Sequence, residues 1–369
     1  MKNYFKIIFL ALIVLFVNAC DQKYIDDISR VEQGDDRSAP VVSITYPNGD
    51  LIIPFTDTET DVEFSFEVTD DIEVQTITLS LDGTQLETYN SFLDYRRALR
   101  SYMYEDLPVG DHTVQVVATD LAGKSTTTNF EFEVTNKYTA KYDGEIFYMP
   151  FEAGLYMDLI TETSATVVGT PGFTNGKKGS AYQGAPDSYL TFPAAGLMGD
   201  QFSAVMWMKV RLQIPTPEYG NRAGVLVIGP EDTGNADYPV KQNNRKNGFR
   251  FFHEGSATAQ RFKLNVGNGT ADTWVDGGAA ADVDPTTGTW VNLAFTISGT
   301  KAVVYINGTV VKESDLTGFD WTGCDIMSIM SGAPRFTGWN HLSDVGDLDE
   351  LRIFNKALTQ VEVQAVMND

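Results

Sequence analysis

The chain predicts an all-β protein built as two successive β-sandwiches. Three observations carry this. Runs with period-two alternation of apolar and polar residues recur from Val41 onward, and Asp-Gly, Asn-Gly and Pro/Gly clusters separate them. Only one segment, at the C-terminal end, has a helical apolar stripe.

Ahead of the folded units stands Met1-Lys2-Asn3-Tyr4-Phe5-Lys6, then an apolar run from Ile7 to Val17, then Asn18-Ala19-Cys20. The run is too short to span a bilayer, which takes roughly 20 apolar residues. It resembles a bacterial lipoprotein signal peptide, which implies removal of residues 1–19 and lipidation of Cys20, so that the mature chain is anchored rather than spanning. Residues 20–38 follow as an acidic, solvated tether containing Asp21, Asp26, Asp27, Glu32, Asp35 and Asp36. Acidic residues behind a lipidated cysteine resemble the export signal of surface lipoproteins in bacteria with Sus-type glycan-uptake systems. That resemblance implies an outer-membrane, cell-surface location and a SusC/SusD-type transporter as partner.

Residues 39–136 form the first expected unit. Val41 to Tyr46, Glu63 to Val68, Thr76 to Leu81 and Thr113 to Ala118 alternate as half-buried strands, with Asp82-Gly83 as a hairpin turn. Seven or so short strands in about 100 residues read as an immunoglobulin-like sandwich. The run Gly110 to Gly123 resembles the last hairpin of bacterial Ig-like domains, which implies a spacer. The Tyr89 to Tyr104 stretch, rich in Tyr, Phe and Arg, is either an interaction face or inward packing.

Residues 140–369 carry the second unit. Phe202 to Val210 and Trp290 to Ile297 read as strands, and Lys301 to Lys312 as a hairpin turning at Asn307-Gly308. Asp347 to Phe354 is a late strand. Thr359 caps a final helix with Glu362 three residues on, and Val363, Val366 and Met367 give its apolar stripe. Many strands and one short helix over this length predict a double-sheet jelly roll. The segments Tyr148 to Gly154, Gly176 to Tyr182, Tyr189 to Pro193 and Gly346 to Leu358 resemble, in order, a laminin-G-like, concanavalin A-like jelly roll. Such folds host lectin-like binders, glycoside hydrolases, polysaccharide lyases and adhesive modules. The resemblance also implies one structural calcium ion, held by Glu152 and Asp349 with backbone carbonyls and water.

Composition narrows the ligand. With 27 basic against 50 acidic residues, net charge −23, nucleic acid is excluded as a partner and a glycan ligand is expected to be neutral unless a local basic patch intervenes. Cys20 is taken by lipid, which leaves Cys324 alone, so no intrachain disulfide is expected. No catalytic set is legible. Asp347-Leu348-Asp349-Glu350-Leu351 resembles the carboxylate motif of laminarinase-type hydrolases, yet regular alternation sets Asp347, Asp349 and Leu351 on one face and Glu350 with Arg352 on the other. His112, His253 and His341 lack metal spacing.

A sugar site needs exposed aromatic faces and planar polar groups. Trp207 and Trp290 lie in strands and are expected in the core. Trp274, Trp321 and Trp339 lie in loop-like stretches, with Arg335, Asn340 and His341 nearby. Tyr219 and Tyr238 flank the long Gly229 to Gly248 insertion. These eight are the candidate carbohydrate-binding residues, with partial burial as the alternative for each Trp. The expected function is a non-catalytic, carbohydrate-binding surface lipoprotein serving a glycan importer. The alternatives are a glycan-degrading enzyme on the same fold and a structural or adhesive subunit.

Overall fold

A computed structural model describes residues 35–212 and 221–369; Cys20 and Tyr219 lie outside them. The chain divides into two compact units, the first ending at Lys137 and the second running Tyr138–Asp369.

The first unit contains β1 (Val41–Tyr46), β2 (Leu51–Ile52), β3 (Glu59–Thr69), β4 (Val74–Leu81), β5 (Thr84–Tyr89), β6 (Arg97–Pro108), β7 (Gly110–Asp120) and β8 (Ser125–Thr135). One sheet has the order β1-β3-β6 and the other β2-β8-β7-β4-β5, with β2 parallel to β8. Alternation on β3 sends Val62, Phe64, Phe66 and Val68 inward against Ile77, Leu79, Val114, Val116 and Phe132. Asp82 and Gly83 take positive φ, 49° and 78°, in the turn between β4 and β5. Buried His112 braces that turn, meeting Asp82 Oδ2 at 2.8 Å and Pro108 O at 2.8 Å. In the aromatic stretch Tyr89, Phe92, Tyr102 and Tyr104 pack on the core, and Arg100 lies 5.3 Å from the centres of Tyr89 and Phe92.

The second unit contains β9 (Glu145–Met149), β10 (Met157–Asp158), β11 (Thr163–Ser164), β12 (Thr166–Val168), β13 (Gly172–Asn175), β14 (Ser180–Gln183), β15 (Tyr189–Pro193), β16 (Phe202–Lys209), β17 (Arg222–Pro230), β18 (Phe249–Ser256), β19 (Ala259–Gly267), β20 (Asp272–Asp276), β21 (Asp282–Val283), β22 (Trp290–Ile297), β23 (Lys301–Ile306), β24 (Thr309–Asp315), β25 (Cys324–Ile329), β26 (Asp347–Phe354) and α1 (Gln360–Met367). Sheet one runs β12-β15-β25-β17-β18-β19-β20, with β21 beside β19. Sheet two runs β13-β14-β26-β16-β22-β23-β24, with β9 beside β26. Between them lies a core centred on Phe202, Phe249, Phe251 and Phe295, where Phe295 stands 4.9 to 5.9 Å from the other three ring centres. Each such ring contributes about 1.5–3 kcal/mol by burial. At the C-terminus, Thr359 and Glu362 form the expected capping box. Val363 and Val366 of α1 then cover Val205, Val303 and Tyr305 on the outer face of sheet two.

β26 departs from regular alternation. Glu350 takes φ 51°, and the register against β16 slips between Val205 and Trp207. This bulge returns Leu351 to the core with Leu348 and Ile353, so Glu350 and Arg352 join Asp347 and Asp349 on the outer side. The expected division of these acids between two faces is therefore corrected. Trp207 and Trp290 are corrected as well: both are half-buried on the outer face, outside the core cluster.

Candidate functional site

Cross-strand pairing lines up one row on the outer face of sheet one. Thr191, Ser328, Val227, Arg250, Asn265 and Trp274 are successive partners on β15, β25, β17, β18, β19 and β20. Their chain neighbours, including Leu226, Phe251, Leu264 and Val275, face the core. Arg250 is fully buried. Its guanidinium donates to Asn247 O at 2.7 Å and to Asn244 O, and burial pushes it down to about 10. Gly229 leaves the space, since a Cβ there would meet Arg250 Nη2 at 2.5 Å. Arg250 thereby ties the end of the insertion onto the sheet.

The insertion also clasps the loop after β25. Thr337 and Gly338 amides donate to Gln242 O, both at 2.9 Å, and the Gln242 amide donates to Thr337 Oγ1 at 3.0 Å. Two tryptophans emerge beside this clasp, Trp274 from β20 and Trp339 from the loop, 37% and 39% exposed. Their ring centres are 5.9 Å apart at 18°, and Arg245 of the insertion lies 5.5 and 4.6 Å from them. Asp272 fixes Arg245 at 3.3 Å and takes a 2.6 Å hydrogen bond from Asn265. Underneath, Phe252 meets Trp274 edge-on at 5.9 Å, Phe336 packs on Phe252 at 5.3 Å, and His341 stacks on Phe336 at 4.6 Å. Trp274 and Trp339 are thus a braced aromatic platform rather than free side chains.

A polar groove of about 620 Å³ adjoins the platform, lined by Arg222, Glu254, Arg261, Lys263 and Asp282 among others. Arg222 joins the two, donating to Trp339 O at 3.0 Å. Arg261 grips Asp282 through two bonds of 2.7 and 3.1 Å, and Lys263 meets Glu254 and Asp276, each at 2.9 Å. Hydrogen bonds from His341 and Lys263 hold Glu254 down to about 2, while burial lowers His341 and keeps it neutral at pH 7. The lining presents planar carboxylates and guanidinium groups, with Arg261 and Lys263 in ion pairs and Arg222 bonded to a backbone carbonyl, a surface suited to hydroxyl groups.

The other sequence candidates part ways. Trp321 is corrected: it packs on Phe319 at 4.3 Å, leans on the core, and donates Nε1–H to Gly199 O at 2.7 Å. Arg335 is buried between Asp325 at 3.1 Å and Glu231 at 3.0 Å, a strut for the clasp with its charge already paired. His341 is buried beneath the platform and supports it from below. Half-buried Asn340 turns the loop at φ 59° directly after Trp339. Tyr238 is exposed on the insertion, and Tyr219 lies outside the described residues. Sequence reading placed Phe336 near the loop tryptophans but missed Arg245, Asp272 and Phe252, because only tertiary packing brings Arg245 and Phe252 to Trp274.

Glu152 and Asp349 both reach the loop between β13 and β14. Asp349 accepts the amides of Lys177, Lys178 and Glu350 at 2.7, 3.0 and 2.8 Å, and Glu152 accepts Ser180 N at 2.9 Å and Ser180 Oγ at 3.0 Å. Donor hydrogens face both carboxylates, whereas calcium requires 6–8 converging oxygen lone pairs. Burial still pushes Asp349 up to about 7. This donor set fits hydrogen-bonded carboxylates and does not fit calcium. Among the described residues no group of three or more His, Cys, Asp or Glu is placed to hold a metal ion.

Residues 183–364 match the family model Laminin_G_3, described as the concanavalin A-like lectin/glucanases superfamily. This part of the chain is a concanavalin A-like domain. Similar solved structures include domain 4 of AbnA, a GH43 extracellular arabinanase from Geobacillus stearothermophilus, in complex with arabinotriose, at 20% identity and TM-score 0.44, covering 60% of this chain and 98% of that one. The binding domain of Paraclostridial Mosquitocidal Protein 1 is similar at 16% identity and TM-score 0.42, covering 61% and 52%. The binding domain of Botulinum Neurotoxin DC in complex with SialylT follows at 12% and 0.43, covering 61% and 51%. The chain thus spans about half the length of the two toxin domains. No protein of curated function matches the sequence. Among the described residues no helix is long and apolar enough to cross a membrane.

Proposed function

We propose that the protein is a non-catalytic, carbohydrate-binding lipoprotein that holds neutral oligo- or polysaccharide at the cell surface. The single observation behind this reading is the Trp274–Trp339 platform beside a polar groove on the outer face of sheet one of the concanavalin A-like domain. Apolar sugar faces lie on the indoles and hydroxyls bond the groove. Lipid on Cys20 anchors the chain in the outer membrane, and the acidic tether supports export and service to a SusC/SusD-type importer. The strand order of the first unit, with its parallel β2–β8 edge, supports an Ig-like spacer.

The acids support the non-catalytic part. A glycosidase needs one carboxylic acid protonated at working pH, and Glu254 in the groove sits near 2. Asp349 sits high, yet it is fully buried behind three amides on the other sheet. The test is affinity gel electrophoresis against neutral plant, fungal and bacterial polysaccharides, with release of sugar reducing ends followed in parallel. Retardation without release is expected, and W274A or W339A should each weaken it about tenfold, near 1.4 kcal/mol. Released sugar would establish an enzyme instead; neither retardation nor release would leave a structural or adhesive subunit.

A further inference from the structure

The outer face of sheet two carries a second aromatic surface that the neutral-glycan reading does not use. Trp207 and Trp290 project from the adjacent strands β16 and β22, where Trp207 pairs with Asn292 and Lys209 with Trp290. Each indole carries an ammonium. Lys177 Nζ lies 4.4 Å from the centre of Trp207, and Lys209 Nζ 4.9 Å from that of Trp290. The amides accepted by Asp349 hold the Lys177–Lys178 loop in place. Lys177 has no ion-pair partner among the described residues, whereas Lys209 and Arg211 share Asp347 at 3.9 and 2.6 Å.

Two fully buried polar atoms at the foot of this surface, Asn292 Oδ1 and Asp347 Oδ1, have no hydrogen-bond partner among the described residues. Asn292 and Trp207, with Lys178 and Arg352 against Glu350 and Asp369, line a depression of about 10 Å³, the space of one water or one hydroxyl. In a chain of net charge −23, Lys178, Lys209 and Arg211 on this face are paired with Glu350 and Asp347, which leaves Lys177 as the cation an incoming anion can meet without breaking an ion pair.

We propose that this face is a second glycan site, and that its ligand is an acidic sugar chain bearing uronate carboxylates. A uronate draws Lys177 off the ring and pairs with its ammonium; the freed indole of Trp207 takes the C–H face of the pyranose; and a hydroxyl enters the depression to donate to Asn292 Oδ1. Neither the Trp274–Trp339 platform nor its neutral ligand is needed for this.

The full mature chain is run through gels containing polygalacturonate, or a neutral arabinan, at low and at 0.5 M salt. Polygalacturonate should retard it at low salt and release it at high salt, since exposed charge pairs are screened. K177A should weaken the retardation about tenfold or more, the scale of one close charge pair, while W274A/W339A should leave it intact. Lys177 is exposed and has no ion pair among the described residues, so K177A is expected to fold, and an unchanged melting curve confirms that. Absence of retardation by polygalacturonate, or retardation unchanged in K177A, overturns the proposal. Loss of arabinan binding in W274A/W339A bears on the neutral site alone.

Discussion

Arg250→Met is expected to loosen the aromatic platform without touching it. The guanidinium is fully buried and makes charge-assisted bonds to Asn244 O and Asn247 O, the residues that bracket Arg245. Such bonds contribute about 1.5–3 kcal/mol each, and the two carbonyls left behind each cost about 1–3 kcal/mol if they stay dry. Against this stands relief from burying the cation, which is several kcal/mol and is visible in the lowered Arg250 value and its unpartnered Nε. The net expectation is a loss of roughly 2–4 kcal/mol, or about 5–12 °C in melting temperature for a unit of this size. Tryptophan fluorescence isolates the effect, because all five tryptophans lie in the second unit. Arg250→Lys should fall between, since one ammonium lacks the planar fork that reaches both carbonyls. A melting temperature within 1 °C of the parent, or a loss of stability with full neutral-glycan affinity, would refute the coupling of Arg250 to the platform.

Acid should act on the groove through Glu254. Its folded value, about 2, lies below the ordinary carboxylate range, so its stabilisation is present above about pH 4.5 and is lost as pH falls towards 2. With the side chain 35% exposed, screening reduces the ceiling of about 3 kcal/mol to roughly 1–2 kcal/mol. Thermal melts of Glu254→Gln between pH 5 and 2.5 should show a shallower slope than the parent, and equal slopes would contradict the assignment. Chelation is expected to leave the melting temperature unmoved, because amide and hydroxyl donors already face Glu152 and Asp349. A drop with EDTA that calcium reverses would restore the metal reading.

Much of the fold was legible because the strands obey period two and their turns use residues that tolerate positive φ: Asp82-Gly83 and Asn307-Gly308 both do so. The Thr359 capping box was legible for the same local reason. β26 was not, since a bulge depends on the partner strand and a single positive φ at Glu350 re-faces everything after it. The site divided along the same line. Trp274 and Trp339 stand out as loop tryptophans, but so does Trp321, and only tertiary packing sends that indole to Gly199 O instead of to solvent. Arg335 and His341 carried the right chemistry at the wrong depth. Arg245, hidden in a polar insertion, gained its place through Asp272, which only the fold of the insertion over β20 brings to it.

The two outer faces of the concanavalin A-like domain separate ligands by how each treats its cations. On sheet one Arg261, Lys263 and Arg245 are each matched to a carboxylate within 3.3 Å, so an anion entering the groove would have to displace a pair already formed. On sheet two Lys177 rests on an indole face, a hold worth about 0.5–1 kcal/mol at an exposed site, so an incoming carboxylate meets an ammonium without first breaking an ion pair. Net charge alone therefore does not decide the ligand. On the proposed reading, anions are disfavoured where an ion pair must first be broken, and are admitted where a cation is parked on an aromatic ring.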